Sequence, residues 1–137
     1  MGICSVEAAV SAGSAARARV TFMVDSGAIY SVLPERAWQA LGLVPTRTIE
    51  FALVDGTTIS RGVSECRFHY RGIDAWSPVV LGGPNDVALL GAVTLECMGL
   101  VLNPLERTLQ PARLRLGMIA AAGAGTVVMP PSVPPSR

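Results

Sequence analysis

No lysine occurs in this chain; all 11 basic residues are arginine. Schiff-base chemistry and Walker-type phosphate binding both depend on a lysine ammonium and are excluded. Histidine is almost as scarce. His69 is the single one, so a His-rich metal site is ruled out, and a Ser-His-Asp or Cys-His hydrolase would have to use it. No cofactor and no metal are expected. Cysteine is limited to Cys4, Cys66 and Cys97, odd in number and widely spaced, which suggests no disulfide framework. Small buried thiols in a reducing cytoplasm are the expected state. Charged residues make up only 15% and the net charge is +1, which leaves no electrostatic footprint for nucleic acid or an anionic membrane. No apolar run approaches the ~20 residues of a membrane span. The small-residue stretch 3–16 lacks a basic leader and carries Glu7, so it is not expected to be a signal peptide.

What is present is a half-apolar chain, long enough for one domain with a real core. Most of it reads as β. Residues 2–10 are apolar and partly alternating, which fits an edge or interface strand. The run 17–24 begins alternating and becomes apolar over 20–24, as a strand entering the core does. Residues 29–33 are strand-like. Pro34 can open a helix, with Glu35 in its first turn, Ala37, Trp38 and Leu41 on one face and Gly42 as the stop. Two β-rich runs, 46–54 and 57–70, meet at Asp55-Gly56, a hairpin signal. A turn at Arg71-Gly72 leads to strand pieces over 73–76 and 78–81. After a loop at 82–86, residues 87–90 read as a short buried strand. A two-turn helix fits 92–98, ended by Gly99, with closing strands at 100–102 and 108–109.

One stretch carries chemistry: Phe22-Met23-Val24-Asp25-Ser26-Gly27-Ala28. It delivers a carboxylate from a buried strand into a tight turn, and desolvating an unpaired charge is costly. Turn formation alone would be one reason for Asp-Ser-Gly. The context supplies another. Further along, Ala88-Leu89-Leu90-Gly91 precedes the second helix. An apolar strand running into Asp-Ser-Gly-Ala, with two apolar residues and Gly before a short helix, resembles the retropepsin-like aspartic proteases. These are the single-domain relatives of pepsin.

That resemblance, over roughly 2–116, implies a mostly β half-barrel with two short helices and an active site formed at a homodimer two-fold. It implies an aspartic endopeptidase acting on a peptide or protein substrate. Hydrolysis by two carboxylates needs one ionised, to take a proton from water, and one protonated, to donate toward the scissile carbonyl. The chain has ten acidic residues but one Asp-Ser-Gly, so a monomer supplies half a site. By the resemblance Asp25 is the catalytic carboxylate, Ser26 braces the two turns across the axis, and the Gly27 carbonyl meets substrate. Ala28 lies beside the water site. The hairpin tip Val54-Asp55-Gly56-Thr57 takes the place of the substrate-covering flap. Leu89-Leu90-Gly91 passes behind the Asp25 turn. Retroviral members often carry an Asp after Asp-Thr-Gly-Ala and an Arg after the second motif's Gly, and the two pair. Ile29 and Ala92 stand there, so both charges are absent together and neither is left unpaired. Three other readings remain at this point. One is a catalytically silent dimerisation or peptide-binding module on the same fold. Another is a monomer completing its dyad with Asp55, Asp74 or Asp86. The last is an unrelated β protein, including a hydrolase built on Ser26 or Cys66 with His69.

From 117 onward Gly, Ala and Pro dominate and Arg137 is the only charge. This tail, 117–137, cannot build a core and is expected to be disordered, leaving 1–116 as the domain. Deleting 117–137 should leave the melting temperature unchanged within about 2 °C. A larger drop in a thermal scan would show that the tail packs on the body.

Overall fold

The computed structural model describes residues 4–112. Among them the chain runs β1 (Ser5–Ser11), β2 (Arg17–Val24), β3 (Ser31–Leu33), α1 (Glu35–Ala40), β4 (Arg47–Ala52) and β5 (Thr58–Tyr70). It continues with β6 (Ile73–Leu81), β7 (Leu89–Leu90), α2 (Ala92–Met98), β8 (Leu100–Asn103) and β9 (Thr108–Pro111). Seven strands form one sheet in the order β1-β2-β7-β3-β6-β5-β4, and a further β1–β5 pairing closes six of them into a barrel. β4 pairs with the first half of β5 alone, so these two strands project as a hairpin arm. β8 and β9 form a separate antiparallel pair.

Period-two alternation builds the barrel wall. In β2, Val20, Phe22 and Val24 point inward while Arg19, Thr21 and Met23 face out. The 20–24 run, which reads as a buried strand, is therefore buried on one face only: Thr21 and Met23 are exposed, Met23 by 37%. Phe22 meets Phe68 with ring centroids 5.7 Å apart, among Val10, Leu33, Val79 and Leu90. Each such fully buried large side chain contributes roughly 1.5–3 kcal/mol.

Other departures from the sequence reading have local causes. β1 is not an edge strand throughout: it pairs β2 along its length and β5 at Ala9–Ser11. β6 is one continuous strand rather than two pieces, because Pro78 lies one residue before pairing with β3 begins and interrupts no bond there. Val87 is exposed, and β7 shrinks to Leu89–Leu90. Helix α1 begins at Glu35, with Pro34 as its cap residue. Cys97 is exposed, unlike Cys4 and Cys66. Helix α2 matches the expected 92–98 span and ends on Gly99 in the left-handed conformation, φ 68°. Residues 117–137 lie outside the described region.

A buried hydroxyl cluster fastens α2 to the sheet. Thr94 shares hydrogen bonds with Ser31 of β3 and with Ser77 of β6, the latter at 2.8 Å. Ser31 Oγ also accepts the Gly91 N–H at 2.9 Å. All three hydroxyl residues are at most 2% exposed. Replacing Thr94 by Val keeps the volume but takes one hydrogen bond from each of two buried hydroxyls, leaving Ser31 Oγ with the Gly91 N–H and Ser77 Oγ with the Pro78 carbonyl, and should cost about 1–3 kcal/mol. Thr94→Ser should cost less. Urea unfolding of both variants checks this, with the midpoint falling further for Thr94→Val at unchanged slope.

Candidate active site

The end of β2 is positioned from behind by β7. The two strands run parallel, with Met23 opposite Leu89 and Val24 opposite Leu90. Met23 N–H donates to the Ala88 carbonyl, and Asp25 N–H to the Leu90 carbonyl, both at 3.0 Å. The chain then turns at Asp25, where Oδ1 accepts the Gly27 N–H at 3.0 Å and the Asp25 carbonyl accepts the Ala28 N–H at 3.1 Å. This is Asx-turn chemistry, but it leaves the carboxylate at the surface: Asp25, Ser26 and Gly27 are all exposed.

Helix α2 braces the same turn from below. The first N–H groups of a helix have no partner within it. Here Ala92 N–H donates to the Ala28 carbonyl at 2.8 Å, and Val93 N–H to the Ile29 carbonyl at 3.0 Å. The approach is close enough to demand glycine at 91, where a Cβ would lie 2.6 Å from the Tyr30 carbonyl. The segment 25–31 is thus pinned at Asp25, Ala28, Ile29 and Ser31, while its exposed turn carries the carboxylate.

The remaining aspartates are engaged elsewhere. Asp55 accepts the Thr57 N–H and hydroxyl at the hairpin tip, which hold its carboxyl below the usual range. Asp74 pairs with His69 and Arg67, and the His69 hydrogen bond is the main cause of its lowered pKa. Asp86 is paired by Arg61, which chiefly lowers it. Asp25 alone has neither a cation nor a side-chain donor among the described residues. That disfavours completion of a dyad within one chain.

A Ser-His-Asp array does occur around His69, though not with the serine considered from sequence. His69 lies between Asp74 and Ser11, whose Oγ is 2.9 Å from Nε2. Ser11 is 2% exposed, so its hydroxyl is shut off from substrate, and the array instead ties β1 to β5 and β6. Ser26 is not part of it. Cys66 is inert for the same reason that it is buried: desolvation pushes its thiol up to about 12. No cluster of three or more His, Cys, Asp or Glu side chains forms among the described residues.

Beside the turn lies an open groove of about 610 Å³. Gly27 and Ala28 line it, together with Val32, Leu89 and, from the hairpin arm, Phe51 and Ile59. The structure therefore joins Gly27 and Ala28 with the arm. The tip residues Val54, Asp55, Gly56 and Thr57 are exposed and do not line this groove in the single chain. Sequence reasoning missed Phe51, Ile59, Arg61 and Asp86 as groove residues; strand alternation alone does not say what a strand face covers.

No family model matches the chain, and no curated protein matches it. Solved structures do. The simian foamy virus (mac) protease, a solution structure, is 22% identical with a TM-score of 0.50, over 67% of this chain and 91% of that one. EIAV protease complexed with the inhibitor HBY-793 is 16% identical with a TM-score of 0.56, over 84% and 94%. Both neighbours are retroviral proteases, and the chain has their retropepsin-like fold.

Proposed function

We propose that this chain is an aspartic endopeptidase whose dyad is Asp25 from each of two copies, related by a two-fold axis. The observation that carries this reading is the Asp25 carboxylate itself: exposed, without a cation among the described residues, and held by backbone bonds on a turn fixed from behind. A lone exposed carboxylate has no catalytic partner. A second copy facing it supplies one, and a symmetric contact brings identical turns together by construction. The exposed Ser26 hydroxyl and the 66%-exposed Ile29, where retroviral members carry a charge, suit such a contact.

Two carboxylates held that close do not both ionise readily, so the pair shares one proton. The ionised member takes a proton from water, whose oxygen attacks the scissile carbonyl carbon. The protonated member donates to the carbonyl oxygen. Collapse of the resulting gem-diol breaks the C–N bond: the protonated member donates to the leaving amine while the ionised member takes a hydroxyl proton from the gem-diol, which restores the one-proton dyad. The apolar groove beside Gly27 and Ala28 would hold a substrate side chain, and the β4–β5 arm would cover it.

Asp25→Asn should fold normally and cleave peptides at least about 10³-fold more slowly, because an amide cannot accept the water's proton. Mixing also tests the shared site. With three parts Asp25→Asn chain to one part unmodified chain, activity per unmodified chain should fall to about a quarter, the share left in unmixed dimers. Peptidase assays after equilibration check both. Cleavage by Asp25→Asn at a comparable rate sinks the aspartic mechanism. Assembly and peptide binding without any cleavage by the unmodified chain would favour the silent module.

A further inference from the structure

The groove beside Asp25 has a polar feature that the catalytic turn does not explain. Two charged side chains line it, Arg61 from β5 and Asp86 from the loop before β7; most of the remaining wall among the described residues is apolar. They are paired. Arg61 Nε donates to Asp86 Oδ2 at 2.7 Å and Nη2 to Oδ1 at 3.3 Å. Asp86 Oδ2 also accepts the Gly83 N–H at 2.7 Å, and Arg61 Nη1 donates to the Ser60 carbonyl at 3.0 Å. The guanidinium lies against bare backbone: a Cβ on Gly83 would sit 3.1 Å from Nη2. Only about a quarter of each side chain is exposed, 25% for Arg61 and 29% for Asp86. The pair is built in, with both carboxylate oxygens occupied.

We propose that the Arg61–Asp86 pair sets the specificity of this groove, admitting a large neutral side chain of a peptide and rejecting acidic and basic ones. That the ligand is a peptide rests on the peptidase reading above. A carboxylate entering the groove must take Arg61 from Asp86 and leave that carboxylate half-buried and unpaired. A cation entering must do the reverse to Arg61. An apolar side chain disturbs neither and buries against Phe51, Ile59 and Leu89. Rejection by an unpaired charge discriminates more sharply than a small difference in apolar contact.

The test uses the full chain carrying Asp25→Asn, so that peptides bind without turnover, and the chain with Asp25 intact for cleavage. Fluorescein-labelled octapeptides differ only in Leu, Glu or Lys, placed in turn at each of the four residues on either side of the central bond. Binding is read by anisotropy. At one or more positions Leu should be preferred to both Glu and Lys by at least about tenfold. Asp86→Ala frees Arg61 and should raise the Glu-to-Leu ratio there by at least about tenfold. Arg61→Met frees Asp86 and should raise the Lys-to-Leu ratio by a similar factor. The double variant should show neither gain. Asp86→Asn, which removes the charge but keeps an acceptor for Gly83, replaces Asp86→Ala if that variant fails to fold. Unchanged ratios, the same one of the two ratios rising in both single variants, or no peptide bound by any form would overturn the proposal. A reciprocal switch in binding with no cleavage by the Asp25-intact chain would support the role of the pair while refuting the peptidase reading.

Discussion

The rest of the structure depends on a two-residue parallel pairing. β7 is only Leu89–Leu90, yet it runs behind the end of β2 and supplies the carbonyl that holds the Asp25 N–H. So short a ladder would not persist alone. It is fixed because Leu90 is fully buried in the core, and because β3 flanks β7 on its other side. The chain then enters α2 at once, and the otherwise orphaned N–H groups of that helix find the carbonyls of Ala28 and Ile29. The Ser31–Thr94–Ser77 cluster locks the helix to the sheet. A rigid support behind an exposed turn results, the arrangement needed when a carboxylate must be placed accurately without being buried.

Electrostatics explains why the turn is left open. Every other aspartate has a side-chain partner in its own chain, and each such partner favours the ionised form. Asp25 has none. Placed opposite its own copy, it would meet a like charge, and a shared proton is the physical resolution. The charges at the positions of Ile29 and Ala92 are missing as a pair, so the fold pays no penalty for an orphaned ion there. Contact between copies would then rely on apolar and backbone groups near the turn.

Much of this was legible in the sequence where the signal is local. The Asp25 turn, the Asp55-Gly56 and Arg71-Gly72 hairpins and α2 with its Gly99 stop follow from turn chemistry and periodicity. What escaped depends on contacts distant in sequence. Pro78 looked like a strand break, because a sequence does not show that the neighbouring strand starts pairing only at Val79. Val87 looked buried beside Leu89 and Leu90, yet it faces the groove. Ser31, Ser77 and Thr94 are unremarkable one by one; only the fold brings three hydroxyls together. Arg61 and Asp86 are 25 residues apart and carry no motif. His69 was placed correctly in a strand, but its partner Ser11 is 58 residues away.

The central claim is that one site requires two chains, and stoichiometry tests it most directly. A tight-binding peptide analogue with a hydroxyl-bearing tetrahedral carbon in place of the scissile carbonyl would lie across both Asp25 carboxylates. Titrated by calorimetry into the unmodified chain at a concentration where it self-associates, such an analogue should saturate at one molecule per two chains, and Asp25→Asn should weaken its binding sharply. Saturation at one molecule per chain, with mass measurements showing a monomer throughout, would contradict the shared two-fold site.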